Sequence, residues 1–191
     1  MSSNLAYQDE FREELINGKT VAMSPRPAFN HNRISFNIAH MFANFLKGRT
    51  CTPIADGMDL FLTDKDWFIP DMMVVCDRSK IQSDGVHGAP DLVVEVLSPS
   101  TAKNDRSYKK DTYARCGVRE YWLVNPADKS VEIYRSDGET LVFHDFYAIY
   151  PDWMLDRMKE EERAAVVTKF TCSLYDDFEI SLEEIFSGML E

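Results

Sequence analysis

Apolar positions change their spacing several times along the chain, and each change predicts an element. Ile34, Ile38, Met41, Phe42 and Phe45 recur at helical intervals on one face. They predict an amphipathic helix over His31–Leu46, stopped by Gly48. Beyond it the period shortens. Met58–Leu62, Phe68–Val75 and Leu92–Leu97 are short runs rich in β-branched and aromatic residues, each bounded by Gly, Pro or Asp. The last two are almost continuously apolar after an opening Pro-Asp, as strands covered on both faces are. A helix capped by Asn104 or Asp105 is predicted to run to Cys116, with Gly117 at the position that ends it. Glu120–Val124 and Val131–Arg135 read as strands joined by a turn at Asn125-Pro126-Ala127-Asp128.

Upstream, Asp9–Ile16 reads as a short helix closed by Asn17-Gly18, followed by a strand at Lys19–Met23 and a breaker at Ser24-Pro25-Arg26-Pro27. Past Gly138 the pattern weakens, apart from a short helix at Leu182–Phe186. The order of elements predicts an α/β fold built on one central mixed sheet flanked by helices. It is expected as a single domain over residues 1–191, with a less regular part at 137–191.

Composition sharpens this picture. With 191 residues, 45% hydrophobic and 12% aromatic, the chain can build a real core, which excludes a disordered chain or a small disulfide scaffold. The net charge of −11, taken whole, speaks against a polyanion as partner. The acidity is local, however: residues 137–191 hold 14 acids and 4 bases, and the rest of the chain 18 and 17. The charge therefore does not decide the partner. No apolar run approaches the ~20 residues of a membrane span, and the N-terminus MSSNLAYQDEFREEL is too polar and acidic for a signal peptide. Cys51, Cys76, Cys116 and Cys172 form no CxxC pair and no zinc spacing, so they read as separate thiols in a reducing cytosol. A soluble, cytoplasmic protein is expected.

The chemistry concentrates between Trp67 and Asn125. Pro70-Asp71 and Pro90-Asp91 each open a strand, and Glu95 follows Asp91 by four residues, on the same face at a period of two. Glu95 is the anomaly, because an ionised carboxylate in an apolar sheet costs on the order of several kcal/mol unless it is paired or holds a metal. Carboxylates at the ends of neighbouring strands suit a hard cation such as Mg²⁺, which takes oxygen ligands and keeps several waters. The following segment, Lys103 to Arg119, carries six bases against two acids. Acids for a metal followed by a basic helix are what phosphodiester cleavage asks for.

Plainer readings stay open at this point. Asp after Pro is common in turns for backbone reasons. Glu95 could form a structural ion pair with Lys109 or Arg106, and the basic helix could be a solvated face. His31, His40, His87 and His144 read as helix or loop residues rather than ligands.

The run APDLVVEVLSPST, then DRSYKKDTY and GVREYWLVNP, resembles the Uma family of restriction-endonuclease-like proteins, within the PD-(D/E)XK nuclease superfamily. The resemblance extends upstream through Glu14–Gly18, Met23-Ser24-Pro25, His31 and Ile69-Pro70-Asp71, and covers about residues 10–135. It implies a restriction-endonuclease-like fold and a Mg²⁺- or Mn²⁺-dependent endonuclease acting on DNA. By position, Asp71 matches the Asp of the PD motif and Glu95 the acidic residue of the half-motif, and these would hold the metal with the Val96 carbonyl. The half-motif lysine would fall at Leu97, a departure from the superfamily pattern. Lys109 on the next helix takes its place in the Uma pattern, ahead of Lys110 and Lys103. Asp91 is implied as an extra ligand, and Glu14 and His31 as residues approaching from N-terminal helices. Two other readings stand beside it: a catalytically degenerate member acting through interactions, and a nuclease or phosphohydrolase on RNA or small phosphoesters. A homodimer would match the two strands of a duplex.

Overall fold

The computed structural model describes residues 12–23, 28–55 and 57–190. The chain opens with β1 (Glu13–Ile16), β2 (Lys19–Ala22) and the long helix α1 (Phe29–Phe45). Five strands follow: β3 (Thr52–Ala55), β4 (Leu60–Thr63), β5 (Asp66–Phe68), β6 (Met72–Val75) and β7 (Val86–His87). Then come β8 (Leu92–Val96) and a helical stretch made of α2 (Ala102–Asn104), a π-turn (Asp105–Lys109) and α3 (Lys110–Cys116). It leads into β9 (Glu120–Asn125), β10 (Ser130–Ser136) and β11 (Leu141–Ala148). The last part holds α4 (Asp152–Leu155), α5 (Glu160–Ala164), β12 (Lys169–Thr171), β13 (Glu179–Ser181) and α6 (Leu182–Ile185).

The central sheet has six strands in the order β11-β10-β9-β8-β6-β3, and a second sheet has five in the order β2-β1-β5-β4-β7. In the central sheet only β8 and β9 run parallel, and the helical stretch between them makes the crossover that parallel strands require. The expected mixed α/β arrangement is therefore present.

Both faces of the central sheet are covered, which is why β8 reads as an unbroken apolar run. Leu92, Val94 and Val96 point to one core with Ile34, Ile38 and Phe42 of α1, Trp122, and Phe170, Phe178 and Leu182 from the last part of the chain. Val93 and Leu97 point to the other, with Leu60 and Phe68 of the five-stranded sheet and Tyr113 of α3. By the same alternation Glu95 faces this second core.

The structure corrects several expectations. Residues 13–16 are a strand, not the end of a helix, because Asn17 and Gly18 both take positive φ and close a two-residue hairpin onto β2. The start of the predicted Asp9–Ile16 helix and the Ser24–Pro27 breaker lie outside the described residues. The single run Phe68–Val75 divides at Ile69-Pro70-Asp71 into β5 and β6, which belong to different sheets. Strand β3 leaves no sign in the apolar pattern. Nor does β11, which carries exposed Val142, Phe143 and Phe146 and breaks register opposite Ile133/Tyr134, so its period of two is lost.

The cysteines depart furthest from expectation. Cys51 and Cys76 form a disulfide, and only Cys116 and Cys172 are free. The cause is register. Thr52 pairs with Val75 in the antiparallel β3–β6 ladder, so the next residues outward, 51 and 76, face each other. The thiol content thus gives no ground for a reducing compartment. Among the described residues no helix is long and apolar enough to cross a membrane.

Candidate active site

The pairing of β6 with β8 decides the geometry. Met72 lies opposite Val94 and Met73 opposite Val93. One residue further, the same register sets Asp71 opposite Glu95. Asp71 closes the gap itself, its Oδ2 accepting a hydrogen bond from the Val96 amide at 2.6 Å. Helix α1 secures the turn from the other side. Ser35 donates to the Asp71 carbonyl at 2.9 Å, and His31 Nε2 lies 3.3 Å from Asp71 Oδ2.

Glu95 is met by the helical crossover. Tyr113 donates its hydroxyl proton to Glu95 Oε1 at 2.7 Å, and Lys109 Nζ stands 3.2 Å from the same oxygen. The ion pair left open by the sequence is therefore present, with Lys109 as partner; Arg106 instead pairs with Glu132. Lys109 also reaches Glu14 Oε1 at 2.7 Å and Asp105 Oδ1 at 3.7 Å. Glu14 comes from β1, not from a helix, and its Oε1 also accepts from the Ile69 amide at 3.0 Å, one residue before Pro70. The crossover is held over the five-stranded sheet by Tyr108, which donates to Asp66 Oδ1 at 2.8 Å.

Five residues thus come together: Glu14, Asp71, Glu95, Asp105 and Lys109, all buried. Glu14, Glu95 and Asp105 lie 2.7 to 3.7 Å from the ammonium, while Asp71 is met by His31 instead. Burial pushes the Glu95 carboxyl well above its ordinary value; Lys109 opposes this, while Asp105, Asp71 and Glu14 add to it. Asp105 is raised in the same way, by burial first, with Lys109 and the Thr101 hydroxyl opposing the rise. Burial alone would lower Lys109, but Glu95, Glu14 and Asp105 together hold its pKa above the usual lysine value, so its charge is secure. Carboxyl groups outnumber the one lysine in the cluster, and burial favours a proton on Glu95 and Asp105.

A cleft of about 730 Å³ opens onto this cluster. It is lined by Asp71, Glu95, Asp105 and Lys109, with His31 on one side and the Ser98–Thr101 loop on the other. Asp91, the other expected ligand, is not there. It sits at the opposite end of β8, about 13 Å away at roughly 3.3 Å per residue. Its carboxylate accepts from the Cys76 amide at 2.8 Å and faces Arg119 at 3.5 Å. The period of two puts Asp91 and Glu95 on one face correctly, but a shared face is not a shared site.

Asp105 of the cluster and Tyr113, which hydrogen-bonds to Glu95, do not stand out in the sequence as site residues. Asp105 resembles a helix cap there, yet it lies inside the helical stretch, where its spacing of four from Lys109 turns both side chains inward. That spacing is the available signal.

The side-chain donors facing the cleft at Asp71, Glu95 and Asp105 are oxygens, the donor type that a hard divalent cation takes. Among the described residues no three His, Cys, Asp or Glu side chains are drawn together as a ready-made cage.

A family model described as "Putative restriction endonuclease" (Uma2) matches residues 3–148. The chain belongs to the Uma2 family. At family level this is an assignment to nucleases. The "Uncharacterized protein slr1290" of Synechocystis sp. is 31% identical over 146 residues, covering 73% of this chain and 76% of its own. A second Synechocystis protein, "Uncharacterized protein sll1609", is 28% identical over 132 residues, covering 67% and 74%. The crystal structure of "a putative nuclease belonging to DUF820" from Anabaena variabilis superposes with a TM-score of 0.67 at 18% identity, covering 92% of this chain and 89% of that one. The fold is thus restriction-endonuclease-like, as the Uma2 resemblance implied.

Proposed function

We propose that this protein is a divalent-metal-dependent endonuclease that hydrolyses phosphodiester bonds in DNA. One observation carries the reading: the β6–β8 register brings Asp71 opposite Glu95, with the Lys109 ammonium 3.2 Å from Glu95, at the floor of an open cleft. Asp71 and Glu95, with the Val96 carbonyl, would hold Mg²⁺ or Mn²⁺. Such an ion supplies a water activated at neutral pH and offsets the charge of the scissile phosphate. Tyr113 fixes the orientation of Glu95 through its hydrogen bond to Oε1. Lys109, kept protonated by its carboxylate neighbours, places a positive charge where negative charge grows on the phosphorus oxygens. The exposed Lys103 and Arg106 on the same helical stretch offer contacts to backbone phosphates.

The test is cleavage of DNA in Mg²⁺ or Mn²⁺, against chelator, by the wild type and by Asp71→Asn and Glu95→Ala. Metal-dependent cutting by the wild type alone is expected. A folded, Mn²⁺-binding wild type that cuts no DNA removes the nuclease reading, and equal activity in Glu95→Ala removes Glu95 from the mechanism. A second reading, a non-catalytic member, draws on Leu97, which stands at the half-motif lysine position and is buried in the second core. It requires that Asp71→Ala lose no metal binding.

A further inference from the structure

Strand β11 ends the central sheet: β10 pairs with it on one side, and among the described residues no strand pairs with it on the other. It has eight residues, and its middle is exposed, with Val142, Phe143 and Phe146 at 48%, 54% and 44%. Open backbone groups beside exposed apolar side chains make a template for another strand. The ladder to β10 fixes where the side chains point. Phe143 lies opposite Tyr134 and Phe146 opposite Glu132, and Tyr134 and Glu132 share a face. Val142, Asp145 and Tyr147 lie opposite Arg135, Ile133 and Val131, on the other face. His144 is the extra residue of the bulge. The bulge shifts the alternation by one, so Phe143 and Phe146 stand on the same side of the sheet.

The strand therefore presents the same pattern read in either direction. About the point between His144 and Asp145, Phe143 mirrors Phe146, Val142 mirrors Tyr147, and buried Leu141 mirrors buried Ala148. Residues directly opposite in an antiparallel pair share a face. A second β11 related by a two-fold axis at that point meets this condition, with Phe143 against Phe146 and Val142 against Tyr147. A slip of one residue sets Phe143 against Asp145 or Tyr147, which point to the other side. The matching register also brings His144 against Asp145. The Asp145 carboxylate is held at the edge by the Phe146 amide and the Tyr147 hydroxyl, each donating to it at 2.8 Å. A bulge and a charge on an edge turn away an arbitrary strand. A copy of the same strand meets the charge with an imidazole and the bulge with its mirror image.

We propose that β11 is the surface through which two copies of this chain associate, antiparallel about a two-fold axis between His144 and Asp145. The two central sheets then continue as one, with two Phe143–Phe146 contacts and two His144–Asp145 contacts across the seam. The inference does not depend on the nuclease reading. The test is sedimentation equilibrium of the full chain over a range of concentrations, as wild type, Phe143→Lys and His144→Asp. Amide exchange of dilute and concentrated wild type locates the contact. The wild type should dimerise, with slower exchange within residues 142–147 in the concentrated sample. Phe143→Lys should weaken association by roughly 30-fold or more, because one substitution falls twice in a symmetric interface. His144→Asp sets like charges opposite each other and should weaken it as well. Both positions are exposed, so the melting temperatures of the variant monomers should stay near that of the wild-type monomer. A wild type that stays monomeric overturns the proposal, as does a dimer that both variants leave intact or one protected only elsewhere. A monomeric wild type whose DNA affinity falls in Phe143→Lys also overturns it, and assigns the face to nucleic acid. Should Phe143→Lys fail to fold, His144→Asp and the exchange pattern decide.

Discussion

Lys109 and Glu14 meet at 2.7 Å inside the protein, joining the crossover of the central sheet to the first strand of the other. Removing the ammonium leaves Glu14, Glu95 and Asp105 facing one another without a counter-charge. Lys109→Met should therefore cost about 3–5 kcal/mol of stability in metal-free protein at neutral pH, the range for breaking a buried ion pair. Urea unfolding measures this. A loss under 1 kcal/mol, about the worth of an exposed pair, would show that the cluster is not dry.

Glu95 ties stability to pH in a defined direction. Its folded pKa stands above its ordinary value of 4.5, burial being the first cause. The folded state thus holds the proton more tightly than the unfolded one, and stability falls as pH rises from the unfolded value through the folded one. Glu95→Gln cannot ionise and can still accept from Tyr113. Metal-free wild type and variant should be alike at about pH 4, within the ordinary carboxylate range, and the variant should be the more stable at neutral pH. Denaturation midpoints across that interval check this; parallel curves contradict it.

Asp91 separates a structural acid from a site acid. Its charged hydrogen bond to the Cys76 amide is partly buried, and its contact to Arg119 is exposed. Asp91→Ala should lower stability by about 1.5–3 kcal/mol, the worth of a hydrogen bond to a charged group. Mn²⁺ affinity, measured by calorimetry, should stay at the wild-type level. A tenfold loss of affinity would return Asp91 to the ion site.

The Cys51–Cys76 bridge closes a loop with a sequence separation of 25. Chain-entropy arguments give about 3 kcal/mol for a loop of this size. Reduction, or Cys51→Ser, should lower unfolding stability by that amount. Alkylation of the oxidised, denatured chain should label Cys116 and Cys172 alone. Labelling at four positions would mean that the thiols are free.

Much of the fold is legible in the chain because burial leaves a periodic trace. Helix α1 has its face at helical spacing, and β8 and β9 are covered on both sides, so their residues declare themselves without reference to partners. The Pro-Asp turn, the misplaced Glu95 and the basic helix after it are visible for the same local reason. Their meeting is not, because it depends on register. A slip of one residue between β6 and β8 would set Asp71 against a different neighbour. Only the packed structure decides that Asp91 stands at the wrong end of its strand and that Cys51 faces Cys76 across the β3–β6 ladder. It also decides that Glu14 arrives on a hairpin and that Asp105 turns inward beside Lys109. Sequence carries the preferences of each residue for its own backbone and for water. Which charges end up sharing one dry space is a property of distant segments brought together, and no local pattern records it.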